Sequence, residues 1–166
     1  QEPKDVAVKS GVKMVKGTRM NLMPYAFPAD KAIIVSTGGG IEQKITPIMD
    51  ARSYLWVSMS GDAKRLLFKV PTKGIFVSNI DGSGLKRIAD GSYPVWMGND
   101  YVIFTRSTND GYHVLTSQLI AINVSTGEET ELTTPESMAE EASVSMENGK
   151  IVYSDINGNA RIIEYE

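Results

Sequence analysis

The chain has 166 residues, 42% of them hydrophobic and 22% charged, with a net charge of −3 and a pI near 5.3. That composition suits one ordinary globular core, and the mildly acidic balance gives no electrostatic footprint for nucleic acid or an anionic membrane surface. The absence of cysteine excludes disulfides, thiolate metal sites and a cysteine nucleophile, and no apolar run reaches the roughly 18 residues of a membrane-spanning helix.

The opening Gln1-Glu2-Pro3-Lys4-Asp5 lacks an initiator Met, the expectation for a mature exported chain whose targeting peptide has gone. Residues 6–15 read as a strand. After them, short runs rich in β-branched and aromatic residues alternate with turn residues. Lys64-Arg65-Leu66-Leu67-Phe68-Lys69 ends near Pro71. Ile75-Phe76-Val77-Ser78-Asn79-Ile80 runs into Asp81-Gly82-Ser83-Gly84, a strong hairpin signal because Asp and Gly tolerate positive φ. Thr108-Asn109-Asp110-Gly111-Tyr112-His113 and its neighbours read as a surface insertion. Residues 135–142 are the best helical candidate, with Thr134 as cap and Pro135 at the first position, and form a linker of one or two turns. Asn148-Gly149 and Asn157-Gly158 are hairpin turns, the second expected as type I′.

The pattern of an extended run, a polar turn and an apolar run closing on a large residue recurs. Aligning Val35, Phe68, Phe104 and Tyr153 gives separations of 33, 36 and 49 residues. Val77-Ser78-Asn79-Ile80-Asp81-Gly82 resembles Ala121-Ile122-Asn123-Val124-Ser125-Thr126-Gly127, and each precedes a short polar strand. Units of two hairpins are the blades of a β-propeller, and a lone blade cannot bury both faces, so neighbours stack. The expected fold is therefore all-β: a propeller or partial propeller of about four short antiparallel blades. The blade-like repeats are placed at 20–50, 54–90, 93–134 and 141–166. Residues 1–19 are expected to serve as a closing segment that completes the ring by strand exchange, the alternatives being an open partial propeller or two chains that complete one ring. An unclosed edge would invite a homodimer.

Pro94-Val95-Trp96-Met97-Gly98-Asn99-Asp100, Trp56-Val57-Ser58-Met59-Ser60-Gly61-Asp62-Ala63-Lys64 and the closing turn over 77–84 together resemble the TolB-like, WD-type propeller repeat. The resemblance covers residues 54–154. It implies a rigid, usually extracytoplasmic binding surface, periplasmic or secreted. It also admits a propeller accessory to a peptidase-like hydrolase. Neither role brings catalytic residues with the repeat.

No cofactor and no metal site is expected. His113 is the single histidine and reads as a loop residue, with neither a second zinc ligand nor a nucleophile elbow to work with. Gly38-Gly39-Gly40 lacks the Lys-Ser/Thr and helix of a phosphate loop and reads as a hairpin loop. Asp155-Ile156-Asn157-Gly158-Asn159 has its glycine misplaced for a calcium loop. Trp56 and Trp96 fall at equivalent repeat positions, where packing between blades is preferred to a ligand face. Glu128-Glu129 and Glu140-Glu141 are pairs of adjacent acids whose side chains point to opposite faces of a strand, and they read as solvated edges. Tyr93, Tyr101, Tyr112 and His113 are the expected binding residues, for a protein, peptide or glycan.

Overall fold

The computed structural model describes residues 23–165. The expected closing strand at residues 6–15 lies outside them. Among the described residues fourteen strands form four antiparallel sheets, each a meander. Blade 1 holds β1 (Tyr25–Ala29), β2 (Ala32–Ser36) and β3 (Gln43–Ile45). Blade 2 holds β4 (Leu55–Met59), β5 (Arg65–Val70), β6 (Gly74–Asn79) and β7 (Lys86–Ala89). Blade 3 holds β8 (Ser92–Met97), β9 (Tyr101–Asn109), β10 (Val114–Asn123) and β11 (Glu129–Glu131). Blade 4 holds β12 (Ala139–Ser145), β13 (Lys150–Asp155) and β14 (Ala160–Glu164).

The core lies between blades, because each central strand is apolar on both faces. In β5, Leu66, Phe68 and Val70 meet Ile33 and Val35 of blade 1. Leu67, one residue out of phase, turns the other way and meets Val102, Phe104, Ile120 and Ile122 of blade 3. Ile103, Leu119 and Ala121 then leave the far side of blade 3 to meet Ala139, Ala142 and Ile151 of blade 4. Phe68, Phe104 and Tyr153 thus share one environment, each facing the preceding blade. Three clusters join four blades, and among the described residues none joins blade 4 back to blade 1. Over the described residues the propeller is an open arc.

Blade 1 corrects the repeat alignment. Val35 faces the following blade, whereas Phe68, Phe104 and Tyr153 face the preceding one. Its counterpart is Val77: Ala32-Ile33-Ile34-Val35-Ser36 matches Gly74-Ile75-Phe76-Val77-Ser78, and Ser36 and Ser78 are both buried. The β1–β2 hairpin therefore corresponds to β5–β6, not to β4–β5. A slip of one hairpin changes which face is covered, since successive side chains point to opposite faces.

Two local expectations also change. Residues 135–142 form no α-helix: a single 3-10 turn, Pro135–Ser137, precedes a left-handed Met138. Ala139 already belongs to β12, where it is fully buried and its carbonyl accepts a hydrogen bond from Ser117 Oγ at 2.8 Å. Burial against blade 3 outweighs a weak local helix preference. At Asn157-Gly158 only Gly158 has positive φ. Gly158 N donates to Asp155 O at 2.8 Å and Asp155 N to Asn159 O at 3.0 Å. The loop is a type I turn closed by a left-handed glycine, not type I′.

Candidate functional site: the inner-edge cleft

Strands β4, β8 and β12 start their sheets and lie against one another at the inner edge of the arc. Each carries a β-bulge near its start. The register slips between Leu55 and Ser58, between Ser92 and Val95, and between Glu140 and Ser143. At the slip sit Trp56, Tyr93 and Glu141, with φ of 49°, 52° and 52°. Such left-handed backbone costs a bulky residue about 1–3 kcal/mol and persists only where its surroundings over-determine it. Three successive blades repeat it at one structural position, and bulges of this kind re-aim side chains.

Here they aim them together. The Trp56 and Tyr93 rings lie 4.9 Å apart, tilted by 57°. With Pro94, Val95, Glu141 and Ala142 they line a cleft of about 250 Å³. Lys69 of β5 braces the cleft from behind. Its Nζ donates to Gly91 O at 2.6 Å and to Ser92 Oγ at 3.1 Å, and lies 5.4 Å from the Trp56 ring centroid. Glu141 N donates to Thr105 Oγ1 at 3.3 Å, tying the third bulge to blade 3. Burial, then the charge of Glu141, holds the Tyr93 phenol above its ordinary range. A cleft with aromatic walls, a phenol and a carboxylate binds and orients. Among the described residues no group of His, Asp and Glu is arranged to hold a metal ion.

The expected binding residues do not form one cluster. Tyr93 lies in the cleft. Tyr112 and His113 stand at the exposed tip of the β9–β10 hairpin. Thr105 pairs with Ser92, so the rest of β9 runs on past the start of β8, and this tip projects from the same end as the cleft. Asp110 shapes the tip by accepting from the Tyr112 and His113 backbone amides at 2.8 and 2.7 Å. Tyr101 begins β9, at the opposite end of the blade, half-exposed.

Trp56 and Trp96 are not equivalent. Trp96 corresponds to Met59 and packs against the core between blades 2 and 3, with Arg65 over its ring at 5.5 Å. Trp56 is 38% exposed. Glu141 leaves the strand's alternation because of its bulge and lines the cleft, where it remains exposed as expected. A bulge leaves no mark in a pattern of apolar and polar residues, so this grouping has no sequence signal beyond the residue types themselves.

No protein-family model and no curated protein matches the chain. Solved structures do. One is described as a TolB from Agrobacterium tumefaciens, at 13% identity and a TM-score of 0.63 over 84% of this chain and 53% of the other. Another is TolB from Acinetobacter baumannii, at 18% identity and a TM-score of 0.52 over 85% of this chain and 40% of the other. The chain thus spans about half the length of the first and less of the second. The similarity is one of fold: a TolB-like β-propeller arrangement.

Proposed function

We propose that this chain is a non-catalytic, extracytoplasmic interaction module whose inner-edge cleft is the docking point for a partner protein. The observation that carries the reading is the triple bulge. Trp56, Tyr93 and Glu141 each adopt a costly backbone, and all three lead into one cleft. Strain retained at a shared position is what a preorganised recognition site requires. Trp and Tyr are also the residues that most often anchor protein interfaces. In this reading Tyr112 and His113 add contacts from the hairpin on the same end, and Tyr101 serves a separate contact at the other. The resemblance to TolB-like repeats supports placement outside the cytoplasm.

The test is photocrosslinking in the native host. A benzophenone side chain at position 93 should yield one discrete protein adduct, and Trp56→Ala should remove it without unfolding the chain. Adducts indifferent to Trp56→Ala would sink the docking site. Turnover of esters, peptides or glycosides that is lost on a point substitution would overturn the non-catalytic reading.

A further inference from the structure

The cleft's chemistry narrows what docks there. Its walls are apolar, and Glu141 is the one charged side chain among the six residues that line it. Among the described ion pairs Glu141 has no basic partner. The nearby cation, Lys69, is already engaged by Gly91 O and Ser92 Oγ and does not line the cleft. A volume of about 250 Å³ falls below the roughly 300–1,000 Å³ of pockets for drug-sized ligands. It suits a single side chain.

An anionic tip would face Glu141, with Glu140 beside it in sequence. A saccharide would find only an indole N–H, a phenol and a carboxylate among the lining side chains to meet many hydroxyls. A long alkyl stem ending in a positive charge meets every feature: apolar walls for the stem, aromatic faces for the cation and a carboxylate for its hydrogen bonds. We propose that the inner-edge cleft takes one cationic side chain, lysine or arginine, from the partner. This rests on the docking reading above and names its chemistry. The side chain lies along the Trp56 and Tyr93 rings, which are themselves in contact, and ends at Glu141.

The indole N–H signal of Trp56, followed by NMR in the full chain, tests it. The probes are the N-acetyl, N-methylamide derivatives of lysine, arginine and norleucine, and N-acetylglucosamine. Lysine or arginine should shift the signal saturably. The neutral norleucine derivative should bind about three- to tenfold more weakly, and Glu141→Gln should weaken lysine binding by a similar factor. The lysine-to-norleucine ratio of the unaltered protein carries the same test without any substitution. Equal binding of norleucine and lysine, or a signal moved by the saccharide alone, would overturn the cationic assignment. Either result leaves the docking site standing, because that is read separately from the Trp56-dependent crosslink.

Discussion

A β-carbon built on Gly91 would sit 2.5 Å from both Phe104 Cδ2 and Thr105 O. Gly91 starts the approach to β8, and its carbonyl is the acceptor for Lys69. The residue is therefore fixed by a close approach at the back of the cleft. Gly91→Ala should lower the unfolding free energy by about 1–3 kcal/mol, as overpacking does, measured by urea denaturation. Gly127 offers the contrast: nothing lies within 4 Å, and only its φ of +80° opposes a side chain. Gly127→Ala should cost about 1 kcal/mol by backbone strain alone. A larger loss at Gly127 than at Gly91 would refute the steric account.

At the scale of the element, the bulged strands β4, β8 and β12 do what regular strands do not. Two residues oppose one at each slip, so Trp56, Tyr93 and Glu141 leave the alternation that their neighbours obey. Lys69 locks two of these strands together, with its ammonium on the Gly91 carbonyl just before β8 and the Ser92 hydroxyl within it, and its charge over the indole of β4. Lys69→Met keeps the stem and removes both hydrogen bonds. It should cost about 1–2 kcal/mol and alter tryptophan fluorescence as the cation leaves the Trp56 ring. Unchanged stability and emission would mean that the clamp contributes nothing to the cleft.

Across the whole molecule, stability resides between blades. Ile103 is fully buried where blade 3 meets blade 4. Val152 and Ile162 pair in register on the far side of blade 4 and are 40% and 60% exposed. The two faces of this sheet therefore differ in what covers them. Ile103→Ala should cost about 2–5 kcal/mol, while Ile162→Thr should stay within about 0.5 kcal/mol of the unaltered protein. Comparable losses at both positions would show that the far face is covered in solution.

The sequence by itself determined the all-β class and the stacking of repeats. Apolar runs such as residues 66–68 and 102–104, bounded by Asp, Asn and Gly turns, allow central strands buried on both faces and little else. It also marked Tyr93, Tyr112 and His113 as available for contact, and it carried both members, Trp56 and Glu141, that complete the cleft. Tertiary structure decided the rest. Val35 matched Phe68 by residue type, yet pairing set it in phase with Val77. Ala139 carried a helical expectation that burial against β10 removed. The cleft depends on three bulges, and a bulge is a register event between two strands: one extra residue, invisible in either strand alone, sends a side chain where alternation would not.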